Sequence, residues 1–453
     1  MLKKSILNHI NDKDMESLKA LLAGAEEMDI LYAYYDLSSE DQLIVFRLLG
    51  KDSALSVFDQ LDAGLQRNLL RSFTDESAIE FVNEMAPDDR VKLLDELPAG
   101  VAKKLINSLS PEEREATNIL MGYKPETAGH IMTTEYISLK RDMTVEEAIE
   151  KVRRQAREKE TVYVLFVTDN FKKLEGVLTL KELLIADCSA ELEKVMHKTV
   201  MKVSTSTDQE EAAHILQRLD LLAIPVVDSE DRLVGIITID DAMDILEDEA
   251  TEDIYDHAGL ADVTGNEADR SEVLINGSMW NIWKVRLPFL LITLAAGVFS
   301  GAIISGFEDT LQSIAAVAIF IPLIMDMGGN VGTQSTTIFV RGMVLGHIKI
   351  QSFFKHFAKE VGIGFSIGLL IGAASGVIAA VWQGMPMLGL AVAMALVVTM
   401  TLASLLGFLV PFVLIKFNVD QAAGSGPIIT SIKDIVGLVV YFVLVSAFLG
   451  HLM

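Results

Sequence analysis

VGIGFSIGLLIGAASGVIAAVWQGMPMLGLAVAMALVVTMTLASLLGFLVPFVLI, residues 361–415, runs for 55 residues without an Asp, Glu, Lys or Arg. A helix crosses a hydrocarbon core of about 30 Å with about 20 apolar residues, so the run is too long for one span. Gln383-Gly384-Met385-Pro386 divides it into two. Outward from it, Leu287–Phe307 is a further uncharged run of 21 residues, and Thr310–Val340 carries one formal charge, Asp326. The glycines at Met327–Asn330 predict a helix break inside that second span. A last apolar run from about Ile428 to the C-terminus makes five spans.

Charge is divided as sharply as hydropathy. The chain has 453 residues and a net charge of -25. From Lys284 onward eight Lys/Arg face six Asp/Glu, so residues 1–283 carry -27. Such a block repels nucleic-acid phosphate and anionic lipid, which excludes nucleic acid as a partner and makes cations its natural counterions. One cysteine, Cys188, excludes an intrachain disulfide framework and a thiol cluster for zinc. The first residues lack the apolar core of a signal peptide. Lys284, Arg286, Arg341, Lys349, Lys355 and Lys359 flank span one or join spans two and three, whereas the loops after spans one and three have no Lys or Arg. Basic loops stay in the cytoplasm, so residues 1–283 are expected in the cytoplasm and Met453 outside a plasma membrane.

Two polar stretches interrupt the spans. One is residues 322–335, with Asp326, Asn330, Thr333, Gln334 and Ser335 beside three glycines. The other is residues 418–434, with Asp420 and, seven residues past Pro427, Asp434. An acid at membrane depth is costly unless it faces water or a cation, which makes Asp434 a candidate pore ligand. The competing readings are a pair with Lys433 for Asp434 and a carboxylate reaching the interface for Asp326. The donors are all oxygens, the set that suits Mg²⁺ or Ca²⁺, and few carboxylates with room for water favour Mg²⁺. Glycines at 364, 368, 372 and 376, and at 297 and 301, mark faces for close helix packing.

In the acidic part, residues 1–130 read as short amphipathic helices in a wound stack, with Pro87, Pro98 and Pro111 just inside helix starts. Residues 137–255 repeat internally: Leu174–Leu183 (LEGVLTLKEL) aligns with Leu233–Ala242 (LVGIITIDDA). Each copy predicts a helix, a β-run, an Asp-rich turn, a second strand and a helix. This resembles a pair of CBS domains, a family in which Gly-x-x-Thr-x-x-Asp can hold an adenosyl ribose and phosphate. Gly235, Thr238 and Asp241 match, whereas the first copy has Glu182. Asp240–Asp256 holds nine acids and no base. Asp241, Asp244, Asp248 and Glu252 share one helical face, where like charges repel and divalent cations would relieve them.

Together with Met85-Ala-Pro-Asp-Asp-Arg90, Thr127–Tyr136, Glu249-Ala-Thr-Glu-Asp253, Met327–Ser335 and Gly424-Ser-Gly-Pro427, these features resemble the MgtE family of magnesium channels over essentially the whole chain. The resemblance implies a multi-domain protein: an all-α superhelical domain (1–130), an α/β tandem CBS pair (131–255), a connecting plug helix (256–283) and an all-α five-helix pore domain (284–453). It implies a homodimer in the lipid bilayer, with one pore on its two-fold axis that closes when intracellular Mg²⁺ is abundant. Mg²⁺ is then both substrate and regulator, and ATP at the CBS pair is left open. By position, Asp434 matches the pore aspartate and Asn330 lies in the Gly-Gly-Asn motif. Asp88 or Asp89, Asp241, Asp244, Glu249, Glu252 and Asp253 match regulatory acids. Asp326 stands where relatives have glycine, and Gln421 where they often have proline.

The alternative is a CBS-regulated transporter for Co²⁺ or Mn²⁺. An anion path conflicts with the sign of Asp326 and Asp434. A metalloprotease would need His-Glu-x-x-His, which the spans lack, so the expectation is a protein that is not an enzyme. An adenylate sensor without transport would leave the intramembrane acids without a purpose.

Overall fold

The computed structural model describes residues 2–61, 63–72, 75–97, 99–157, 159–261, 267–417 and 426–449. The chain divides into two compact units, residues 1–249 and 250–453.

The first unit opens with short helices of 9–11 residues, from Leu2–Asn11 to Pro111–Met121. Their starts follow from local chemistry. Asp14, Ser38 and Ser110 accept a hydrogen bond from a backbone N–H of the first turn. Pro87 and Pro111 occupy the first turns of α1 (Pro87–Glu96) and α2 (Pro111–Met121), where the missing N–H costs nothing. Their apolar faces meet in a core that includes Ile6, Tyr34, Val57, Phe58 and Val82.

Two three-stranded sheets follow: β1 (Ser138–Lys140), β2 (Val164–Thr168) and β3 (Leu174–Thr179), then β4 (Val203–Ser204), β5 (Ala223–Val227) and β6 (Leu233–Thr238). In both, the first strand pairs parallel with the second and the second antiparallel with the third. The sequence repeat is thus a structural repeat. β2 and β5 are buried throughout, which is why they read as unbroken apolar runs. Val164, Phe166, Ala223, Leu233 and Ile236 form one cluster that joins the copies. His130 Nε2, 2.6 Å from Asp95 Oδ2, ties the segment entering the pair to α1. Helix α3 (Ile239–His257) follows β6 and contains the boundary between the units.

In the second unit, helix Glu267–Asn276 precedes five helices long and apolar enough to cross a membrane. These are α4 (Met279–Gly306), α5 (Ile321–Val344, continuing a 3₁₀ turn at Ala315–Phe320), α6 (Phe353–Gln383), α7 (Pro386–Lys416) and α8 (Pro427–Leu449). The split of the long run falls where expected: α6 ends at Gln383, Gly384 adopts φ 66°, and Pro386 starts α7. Gly364, Gly368, Gly372 and Gly376 lie against α7. A Cβ at Gly372 would sit 2.6 Å from Ala393 O, and one at Gly376 2.6 Å from Gly389 O. Gly297 and Gly301 of α4 have open space within 4 Å of that position among the described residues.

The predicted break at Met327–Asn330 is absent, because α5 runs unbroken through it. In hydrocarbon every backbone group needs an internal partner, which outweighs the low helix propensity of glycine. The glycines serve close packing instead. A Cβ at Gly328 would lie 2.8 Å from Thr399 Cγ2 on α7, and one at Gly332 would overlap the side chain of Lys433 on α8.

Arg90 is a buried, densely hydrogen-bonded side chain of the first unit. It is 1% exposed, its Nε donates to Val82 O, and its Nη2 donates to Asn83 O and Met85 O. Its Nη1 donates to Glu113 O and Thr117 Oγ1 and pairs with Glu113 Oε2 at 2.6 Å. Planar fork geometry is needed to reach all of these acceptors. Arg90→Met is expected to destabilise this unit by about 2–4 kcal/mol, and Arg90→Lys by less, in urea unfolding of the purified protein. An Arg90→Met transition indistinguishable from wild type would refute the assignment.

Candidate functional site

Asp434 sits two turns into α8, half-buried. With Thr430 and Ser431 of the same helix, Thr333, Thr336 and Thr337 of α5, and Gly297 and Ser300 of α4, it lines a cavity of about 570 Å³. Small residues on the facing helix make the room: a Cβ at Gly329 would come within 3.6 Å of Asp434 Oδ1. Asp326 lies within electrostatic reach of Asp434 and is exposed, as is Asn330 one turn along α5. Backbone oxygens of this face are largely engaged, Gly329 O by Thr333 Oγ1 at 3.0 Å and Gly332 O by Thr336 Oγ1 at 2.9 Å. The glycine carbonyls are therefore part of the helix rather than freed by a break. The walls offer hydroxyl and carboxylate oxygens, the donors for a hard cation that keeps much of its water. Asp420 lies outside the described residues.

Lys433 does not pair with Asp434. Its Nζ reaches Gly329 O at 3.5 Å, and the side chain is 2% exposed. Adjacent residues on a helix point about 100° apart, so the two charges leave α8 in different directions.

The second acidic focus lies in the first unit. Asp88 and Asp89 occupy the first turn of α1, and Asp240 and Asp241 the first turn of α3. Two acids that sequence reasoning missed, Glu160 and Glu135 of the first CBS copy, approach the same place; Glu160 N donates to Glu135 O at 3.0 Å. Three segments distant in sequence thus bring like charges together. The carboxyl of Asp88 is held well above its ordinary range by burial and by Asp241, Asp89 and Glu160. Its buried Oδ1 has no hydrogen-bond partner. Burial raises Asp89 as well, with Lys92 opposing and Asp240 and Asp244 adding to the shift. Asp241 is pushed up to about 6 chiefly by burial, although Thr238 Oγ1 donates to its Oδ2 at 2.5 Å. Glu160, which keeps an exposed edge, is pushed up to about 7 by desolvation and by Asp241, Asp89, Asp240 and Glu135.

Lys92 of α1 is the local counter-charge. It lies 3.7 Å from Asp244 Oδ2 and, despite desolvation, is held above the usual lysine range by Asp244, Asp248, Asp89 and Asp241. Asp244 and Asp248 are exposed on α3. Glu249 accepts from Gln209 Nε2 at 2.6 Å and is pushed up to about 7 by burial and by Glu210, Asp208 and Glu126. Glu252 and Asp253 lie in the second unit, half-buried on the last turns of α3. Among the described residues no three His, Cys, Asp or Glu side chains converge into a finished metal centre. The acids form open faces instead. The CBS motif residues are brought together: Gly235 in β6 packs on Met132, and Thr238 and Asp241 are hydrogen-bonded.

A family model described as the MgtE intracellular N domain matches residues 25–126, CBS domain models match 128–188 and 192–248, and a divalent cation transporter model matches 321–444. The chain is 33% identical over 445 residues to the magnesium transporter MgtE of Thermus thermophilus, covering 96% of each. It is 30% identical over 443 residues to that of Bacillus subtilis, covering 98% of this chain and 96% of the relative. The structure is similar to one described as the cytosolic domain of the Mg²⁺ channel MgtE in complex with ATP, with 32% identity and a TM-score of 0.52, covering 54% of this chain and 99% of that one. An N-terminal helical domain, a CBS pair, five helices long and apolar enough to cross a membrane and full-length likeness to two magnesium transporters lead to one assignment: the chain belongs to the MgtE family of magnesium transporters.

Proposed function

We propose that the protein imports Mg²⁺ through a pore whose ion-contacting acid is Asp434, and that intracellular Mg²⁺ closes it by binding the acidic faces of the first unit. The carrying observation is the cavity at Asp434, an intramembrane carboxylate among hydroxyls that makes no ion pair among the described residues. Hydroxyl walls accept hydrogen bonds from the waters of a hydrated ion, and the carboxylate supplies the charge. Asn330, Asp326 and Asp420 are assigned to the same path. The organisation proposed is a homodimer of four successive parts, 1–130, 131–255, 256–283 and 284–453, with the first three cytoplasmic and Met453 outside the plasma membrane.

Regulation follows from electrostatics. At low Mg²⁺ the acids Asp88, Asp89, Asp241, Asp244 and Asp248, with Glu160 added, repel one another. Mg²⁺ neutralises them and draws the faces together. Glu249, Glu252 and Asp253 extend the acidic surface along α3, the helix that leads toward the membrane spans in sequence. ATP is assigned to the second CBS copy at Gly235, Thr238 and Asp241, so one carboxylate serves both ligands.

Wild-type protein in vesicles is expected to take up Mg²⁺, and Asp434→Ala to lose at least about 90% of uptake or its preference for Mg²⁺ over Co²⁺ and Mn²⁺. Normal, selective uptake by Asp434→Ala would remove Asp434 from the pore. The acid focus predicts a pH dependence whose sign is fixed: carboxylates raised in the folded state stabilise it when protonated, and that stability is lost as pH rises through about 6 to 7. In chelator, the melting temperature of the full chain should fall between about pH 5.5 and 8, and Mg²⁺ should raise it more at pH 8 than at pH 6. Equal Mg²⁺ stabilisation at both values, or unchanged stabilisation in Asp89→Asn/Asp241→Asn, would contradict the sensor. Calorimetric titration with ATP should show at least about tenfold weaker binding to Thr238→Val than to wild type; equal affinities would place ATP elsewhere.

A further inference from the structure

Lys433 is an ionisable side chain inside a membrane-spanning helix that neither the cavity nor the acidic faces employ. It is 2% exposed, and its partner is a carbonyl, Gly329 O at 3.5 Å. Its stem fills the notch left where Gly332 has no side chain, since a Cβ there would lie 2.5 Å from Lys433 Nζ and 2.7 Å from its Cε. Lys433 and Asp434 thus press on the same glycine face of α5, the ammonium over Gly329 and Gly332 and the carboxylate beside Gly329. The two groups are close enough to feel each other's charge.

A buried amine in hydrocarbon is expensive, and a methionine would fill the same notch without the charge. We propose that Lys433 sets the specificity and rate of ion passage: it is a resident cation beside Asp434 that keeps a divalent ion from binding too tightly to leave. The Coulomb repulsion from one fixed ammonium is twice as large for a divalent as for a monovalent ion at the same place. Conduction requires a site favourable enough to occupy and weak enough to vacate, and an unopposed intramembrane carboxylate would hold Mg²⁺ long enough to slow transport. Lys433 Nζ has a neutral carbonyl as its partner and makes no ion pair with Asp434, so Asp434, which lines the cavity, stays open to ligands with the ammonium's charge beside it. This inference rests on the reading of Asp434 as the pore acid.

The test measures Mg²⁺ uptake against concentration for the full-length protein in vesicles. Lys433→Met is expected to lower the half-saturating Mg²⁺ at least about tenfold and to lower the maximal rate with it, whereas Lys433→Arg keeps the wild-type half-saturation. A packing role alone predicts otherwise. Half-saturation within about twofold of wild type in Lys433→Met, or equal shifts in the Met and Arg variants, would overturn the proposal. Should Lys433→Met not fold, Lys433→Gln, neutral and nearly as long, is read by the same criterion. Asp434→Asn is measured alongside with Lys433 intact. Wild-type uptake by that variant would overturn the pore reading itself, a result separate from anything seen at position 433.

Discussion

A carboxylate held inside a bundle of apolar helices is the constraint around which the second unit is arranged. Asp434 can stay at that depth only where oxygen-lined space and close backbone approach coexist, because an ion stripped of water and partners costs several kcal/mol. Gly328, Gly329 and Gly332 give that approach on one side, and the hydroxyls of Thr333, Thr336 and Ser300 line the space. Large aromatic residues pack at both ends of these helices, Phe339, Phe353 and Phe408 at one and Tyr441 and Phe442 at the other. Tyr441 donates to Val317 O at 2.9 Å and Phe442 stacks on Phe307 at 4.6 Å, fixing α8 beyond the acid. A second buried carboxylate, Glu360 on α6, accepts from Ser335 Oγ at 2.8 Å and holds α5 against α6 near its other end.

The first unit uses the opposite tactic. Its acids are brought together without partners enough to satisfy them, and the scaffold bears the repulsion. Arg90 is the reason α1 can do so. Its guanidinium satisfies carbonyls at the end of the preceding helix and anchors α2, which fixes the first turn of α1 that carries Asp88 and Asp89 just before it. The raised carboxyl groups of Asp88, Asp89, Asp241 and Glu160 report the strain of this arrangement. Asp434 lines a cavity, whereas the acids of the first unit lie on open faces where, among the described residues, no three His, Cys, Asp or Glu side chains converge.

Much of this was legible in one dimension. The five spans follow from run lengths set by bilayer thickness, and α6 and α7 separate at the Gly-Met-Pro sequence where helix chemistry requires it. The CBS repeat was visible because Leu174–Leu183 aligns with Leu233–Ala242, and each copy also has an apolar run that the structure buries throughout as β2 or β5. Other features were misread for identifiable reasons. Glycines that break helices in water were read as a break in α5, although hydrocarbon enforces the helix and turns them into contact points. A pair between Lys433 and Asp434, weighed only as the reading that competes with the pore acid, does not form, because adjacency on a helix directs side chains apart. Glu160 and Glu135 carried no local signal, since their importance comes from Asp89 and Asp241, some 46 and 106 residues from Glu135 along the chain.

By itself the amino-acid sequence determined which segments cross the membrane, the division of charge between the two halves, the repeat, and the residue types able to ligand a hard cation. These depend on composition and period, which are additive along the chain. Only the tertiary structure decided which oxygens share a cavity with Asp434, where the ammonium of Lys433 points, and which acids meet Asp88. Those outcomes depend on packing between segments, and a contact between two faces is a property of neither sequence alone.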